Sequence, residues 1–204
     1  MKRLAALMVL VALSLMASAS LRAADFKTDD EGFIKNWLFL GPIALPDGST
    51  GPDEIVKEHV KDEAKLSPKE GDTAKAGDKS LTWKAIKAED YFFDLNAILG
   101  TQNEDCAGLL VAYVEAEAEM KDVTLQMGSN DEGRVYFNGK EVVKDLEPRT
   151  VDKDQNAAEH LTLNKGVNTI VFKVINEKNN WQGCIRFQGK DGKPIKNLKI
   201  KLAP

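Results

Sequence analysis

The segment from Val123 to Val143, VTLQMGSNDEGRVYFNGKEVV, reads as three short strands joined by two turns. Apolar side chains alternate at Val123, Leu125 and Met127 and again at Val135 and Phe137, the period-two pattern of strands with one buried face. Asn138-Gly139 stands between the second and third strands, and that pair accepts the two positive-φ positions of a type I′ hairpin turn. Asn130-Asp131-Glu132-Gly133 makes the other turn, with Gly133 free to take left-handed angles and the Asn and Asp side chains able to bond backbone amides. The segment is therefore expected to be a meander whose apolar face builds the core of a β-sandwich.

Working outward, Leu161–Leu163 and Asn168–Asn176 flank Asn164-Lys165-Gly166 and are expected to form a second hairpin, with Ile170, Phe172 and Val174 facing inward. Gly108 to Met120, GLLVAYVEAEAEM, holds a conflict: Ala and Glu favour helix, but Leu110, Ala112, Val114, Ala116 and Ala118 alternate strictly. Period outranks propensity, so a strand is expected, with Glu115, Glu117 and Glu119 on a solvated face. Phe33 to Ile43, FIKNWLFLGPI, reads as a strand carrying a core Trp37, and Leu81 to Ile86 as another; Tyr91 to Leu99 fits a strand or a helical turn. Pro52-Asp53-Glu54 opens a helical stretch whose stripe is Ile55, Val56, His59, Val60 and Ala64, with His59 as a packing residue. Ser67 to Ser80 lacks large apolar residues and is expected as an exposed loop, as is polar Leu146 to His160. Asp152, Asp154 and Asn156 imitate the start of a calcium loop, but Ala157 and Leu163 stand where an EF-hand needs Gly and Glu. The expectation is an all-β, antiparallel, jelly-roll-like β-sandwich of about eight or nine strands with one short amphipathic helix.

Lys2 and Arg3 precede an uncharged apolar run from Leu4 to Met16 and then small residues, the layout of a signal peptide over 1–19, with a cut after 23 as the alternative. The run is too short to span a bilayer. Residues 24–32 read as a loose acidic arm and 33–204 as one domain, exported to the periplasm or beyond the cell. Removing Lys2 and Arg3 takes 28 basic residues to 26 against 32 acidic ones, and the formal charge from −4 to −6. Nucleic acid is therefore not an expected partner. Cys106 and Cys184 are the only cysteines, and an oxidising compartment accommodates either a disulfide between them or two buried free thiols.

GSNDEGRVYFNGKEVV resembles the signature of the PA14 domain and of related galactose-binding-like jelly rolls, including the sugar-binding domain of family 2 glycoside hydrolases. LTLNKGVNTIVFKVINEKNNW is similar to a hairpin of the same modules. The resemblance implies an exported, non-catalytic, carbohydrate-binding module. In calcium-dependent members, paired acidic residues of the turn hold a cation that holds sugar hydroxyls. The equivalent positions here are Asn130 and Asp131, so one carboxylate is missing; calcium assistance is an option, and no cofactor is required.

The candidate ligand site is the end of the sheet where Asn130, Asp131 and Arg149 converge. Tyr136 alternates away from Val135 and Phe137, which points its ring outward for stacking on a sugar, and Trp181 and Trp83 could flank the same groove. The plain alternative has Arg149 paired with Glu147 or Asp152. A second class of function, a structural or protein-interaction domain of an envelope or extracellular assembly with no small ligand, fits the same sequence; a concave surface with exposed aromatics would favour a glycan and a flat apolar patch a protein. No Gly-x-Ser-x-Gly elbow occurs, His59 and His160 are far apart, and neither cysteine has a plausible His partner, so an enzyme is not expected.

Overall fold

Strand β7 (Cys106–Ala116) is buried along nearly its whole length on both faces. The computed structural model describes residues 26–204, so the signal segment and the start of the acidic arm lie outside the described part. Along one edge β7 pairs through all its residues with β12 (Gly166–Asn176). Its other edge is shared end to end by β14 (Lys199–Lys201), opposite Tyr113 to Glu115, and by β2 (Asn36–Ala44), opposite Cys106 to Val111. The larger sheet runs β1 (Phe26–Lys27), β14, β7, β12, β9 (Gly133–Phe137), β10 (Lys140–Asp145), with β5 (Lys84–Lys87) added beside β2. The smaller sheet runs β11 (Asn156–Leu163), β8 (Met120–Ser129), β13 (Gln182–Gln188), β6 (Phe93–Asp94). A separate hairpin pairs β3 (Thr73–Ala76) with β4 (Lys79–Thr82).

The chain is thus an all-β antiparallel sandwich, with more strands than periodicity suggested because β1, β3, β4 and β6 are too short to show a period. The meander is corrected. β8 lies in the smaller sheet and β9 in the larger, so Asn130–Glu132 carries the chain from one sheet to the other. Of the three expected strands only β9 and β10 form a hairpin, closed by Asn138 at φ 49° and Gly139 at φ 80°, with Phe137 opposite Lys140. The left-handed residue of the crossover is Asp131 (φ 54°), not Gly133; Gly133 is needed because a Cβ there would lie 2.9 Å from Ser129 Oγ. The second expected hairpin is likewise a crossover, since β11 and β12 belong to different sheets. In both cases alternation identified the inward residues correctly, but the inner faces of two opposed sheets carry the same pattern, so it could not say which sheet each strand joins.

Between the sheets lies a core that includes Trp37, Phe39, Leu110, Leu125, Phe137, Phe172, Trp181 and Phe187. A second apolar cluster covers the outer face of the larger sheet: Leu38, Leu109, Val111, Tyr113, Tyr136 and Val171 meet Ile55, Val60, Ala76 and Trp83 from the segment between β2 and β5. That segment includes the stretch expected as an exposed loop. Tyr113 ties it down by donating its hydroxyl to Pro68 O at 2.6 Å.

The expected helix shrinks to α1 (Gly51–Ile55), capped by Thr50 and opened by Pro52, followed by a 3-10 turn over Glu63–Lys65. Cations from the sheet take the carbonyls at and beyond the end of α1: Arg134 Nη1 donates to Ile55 O at 3.3 Å and Val56 O at 2.9 Å, and the wholly buried Lys173 on β12 donates to Lys57 O and, at 2.9 Å, to Glu63 Oε2. A carbonyl claimed by a buried charge is lost to the helical ladder, so tertiary demand overrides propensity. Tyr91 to Leu99 divides into both expected forms, β6 and then α2 (Leu95–Leu99), capped by Asp94 and stopped by Gly100 at φ 66°. The acidic arm is tied in place where it is described, since Phe26 and Lys27 pair with Ile200 and Lys199.

Candidate functional site

The structure brings Asn130, Asp131 and Arg149 together, as a closed junction. Asn130 and Asp131 are 8% and 9% exposed. Asn130 Nδ2 donates to Arg149 O at 2.8 Å, Asp131 N donates to the same carbonyl at 3.0 Å, and Asp131 Oδ2 accepts from Glu177 N at 2.9 Å. Arg149 Nη2 donates to Ser129 Oγ at 3.0 Å and to Asn156 Oδ1. Its Nε lies 3.3 Å from Asp145 Oδ2 but without hydrogen-bond geometry, so the ion-pair partner is Asp145 rather than Glu147 or Asp152. Burial lowers the Arg149 pKa, with Asp145 acting against it.

Sequence reasoning missed the residue at the centre of this junction. Glu132 is fully buried, and neither carboxylate oxygen has a hydrogen-bond partner. Burial, aided by Glu177, Asp131 and Asp145, pushes its carboxyl up to about 7. Gly51 packs on it so closely that a Cβ there would lie 2.1 Å from Glu132 Oε2. A charged residue inside a turn motif carries no mark of burial, and only α1 closing over the turn creates it. The turn fits calcium poorly: Asn130 Oδ1 is unpartnered, but Asp131 already serves the Glu177 amide, and no group of three or more His, Cys, Asp or Glu side chains among the described residues is placed to hold a metal. A calcium ion takes about six to eight oxygens.

Tyr136 faces away from Val135 and Phe137 as expected, but that face is roofed, and the ring is 5% exposed with the Arg134 guanidinium 4.7 Å above it. Burial pushes its hydroxyl up to about 12. Trp181 is wholly buried, donating Nε1 to Val174 O at 3.2 Å and meeting Phe39 edge-on; Trp83 belongs to the outer cluster. None of the three offers a stacking surface. Cys106 and Cys184 are free and buried, not bridged. Cys106 sits in the core between the sheets, while Cys184 turns to the other face of its sheet, toward Asp152 O at 3.7 Å. Burial raises both thiols to about 12.

The structure offers a different concavity. A cavity of about 450 Å³ lies between β2, the α1 segment and the β3–β4 hairpin. Pro42, Ile43, Ala44 and Leu81 form apolar walls, Glu54 and His59 a polar end, and Lys57, Glu58, Asp78 and Lys79 are among the other lining residues. Glu54 is held on both oxygens: Oε1 accepts from Lys57 Nζ at 2.6 Å, and Oε2 lies 3.1 Å from His59 Nε2. His59 Nδ1 faces Lys173 Nζ at 3.4 Å, and His59 N donates to Glu63 Oε1 at 2.6 Å. Burial and the Lys173 charge lower the His59 pKa against the pull of Glu63 and Glu54, which favours the neutral ring. Burial opposes ionisation of Glu54, but Lys57 and His59 outweigh it and hold its pKa below the ordinary value. His59, expected as a packing residue, therefore belongs to a buried polar chain running from the cavity to β12.

No family model and no curated protein matches the chain. Among solved structures, it is similar to the PA14 domain of the antifreeze protein MpAFP, at 15% identity and a TM-score of 0.36, covering 87% of this chain and 96% of that one. It is also similar to part of a GH31 alpha-xylosidase from Xanthomonas citri, at 12% identity and a TM-score of 0.34, covering 89% of this chain and 20% of that one.

Proposed function

We propose that the chain is an exported, non-catalytic module that binds a carbohydrate-type ligand in the cavity headed by Glu54 and His59. The observation that carries the reading is the cavity's composition: apolar walls from Pro42, Ile43, Ala44 and Leu81 lead to a buried carboxylate with charged groups around it. A sugar presents apolar C–H faces and hydroxyls that both donate and accept, so walls of one kind and an end of the other suit it. Lys57 and His59 hold Glu54 on both oxygens, which fixes the position of the carboxylate at the polar end of the cavity. Export rests on Lys2, Arg3 and the apolar run from Leu4 to Met16.

The test is a glycan array probed with the mature chain, with calcium and with chelator. Retention of a glycan in both conditions, weakened at least roughly tenfold by Glu54→Gln, is the expected result. No retained glycan, or binding that Glu54→Gln leaves unchanged, would return the chain to the protein-interaction reading.

A further inference from the structure

We infer that this cavity selects ligands bearing a primary ammonium group, an amino sugar above all, and that Lys57 occupies the ammonium's place when no ligand is bound. The sugar part rests on the carbohydrate reading above; the ammonium part rests on the geometry of Glu54. Its side chain is only 3% exposed, whereas that of its partner Lys57 is 58% exposed. Of the two groups on Glu54, the imidazole is fixed, because His59 is wedged against Lys173 and Glu63, both wholly buried. Lys57 differs. Its carbonyl is anchored by Lys173 Nζ, while its side chain reaches Glu54 from the solvent side, so the ammonium can swing away without moving the backbone.

Charge points the same way. Glu54, Glu58 and Asp78 line the cavity together with Lys57 and Lys79, and the most deeply buried of these charged groups is the Glu54 carboxylate. If Lys57 swings out, a carboxylate that is only 3% exposed loses its lysine partner. A ligand ammonium replaces it one for one and leaves no charge unpaired. An N-acetyl group cannot, and an acidic sugar meets three carboxylates. Exchange trades one ammonium for another on the same carboxylate, so the ion pair is conserved while the exposed Lys57 side chain is released to solvent.

The test is calorimetric titration of the full mature chain at pH about 6.5, where a sugar amine is protonated, with three probes: a glucosamine trisaccharide, its N-acetylated counterpart and 1,4-diaminobutane. The glucosamine trisaccharide should bind at least roughly tenfold more tightly than the N-acetylated one. Lys57→Met, a change on the surface, should tighten glucosamine several-fold and leave the N-acetylated sugar unchanged. Equal or tighter binding of the N-acetylated sugar overturns the ammonium selectivity while the carbohydrate reading stands. Binding of diaminobutane with neither sugar supports the selectivity and removes the carbohydrate reading. Binding of no probe removes both, and identical affinities in wild type and Lys57→Met overturn the placeholder role.

Discussion

Replacing Tyr136 with Ala separates two pictures of the outer face of the larger sheet. On an open face, an outward ring would contribute to binding and little to stability. In the structure it is 5% exposed, lies across from Val171 and Glu141, and packs in a cluster with Leu38, Val111 and Ile55 beneath the segment that joins β2 to β5. Truncating a buried aromatic costs about 3–5 kcal/mol, the transfer of the ring plus the cavity left behind. For a domain of this size each kcal/mol moves the melting temperature by about 2–4 °C, so a drop of roughly 10 °C is expected in a circular dichroism melt. Tyr136→Phe keeps the ring under Arg134 and should stay within about 1 kcal/mol of wild type. A Tyr136→Ala variant within about 0.5 kcal/mol of wild type, the range of an ordinary surface change, would show that the segment does not roof the sheet.

Gly139→Val places a β-branched residue at φ 80° and should cost about 1–3 kcal/mol; an unchanged urea midpoint would remove the turn geometry from the account. Lys173→Met leaves the buried Glu63 side chain without its lysine partner, a loss of about 3–5 kcal/mol that Glu63→Leu in the same chain should partly restore, as read in paired urea titrations. The raised pKa of Glu132 favours the folded state in its protonated form, so the contribution is full below about pH 4.5 and is lost as pH rises toward 7, up to about 3 kcal/mol. Glu132→Gln should remove that slope and be the more stable chain at pH 8; equal stability of the two at pH 8 would contradict it. His59 acts in the opposite sense: its lowered pKa supports stability above about pH 6.5, and acid below that value should erode it, unless His59→Gln titrates identically.

Alternation made the inward residues of β8, β9 and β12 legible, and Asn138-Gly139 announced its turn, because both signals are local. Sheet membership was not legible, since Asn130–Glu132 and Asn164-Lys165 look like hairpin connections yet pass between sheets. Gly108 to Ala116 is a strand, against helix propensity, because period reflects burial and burial decides, whereas Glu117 to Glu119, expected on the same strand, turn into β8. Its apolar run at Leu109, Val111 and Tyr113 was the clue to a second covered face, and through it to a buried Tyr136. Lys173 within VFKVIN is the other unread signal: a lysine in a strand apolar on both sides must find a carboxylate, and Glu63 lies far away in sequence.

The pairing of β1 with β14 has a mechanical consequence. Phe26 lies opposite Ile200 and Lys27 opposite Lys199, antiparallel, so the beginning and the end of the described chain emerge side by side. A pull applied between them loads this ladder one rung at a time, as a zipper opens, rather than in shear. The two rungs of β1 and then the three that hold β14 to β7 yield before force reaches the long β7–β12 ladder. Tension along the chain would therefore peel its margin at low force while the cavity between β2 and the β3–β4 hairpin keeps its shape.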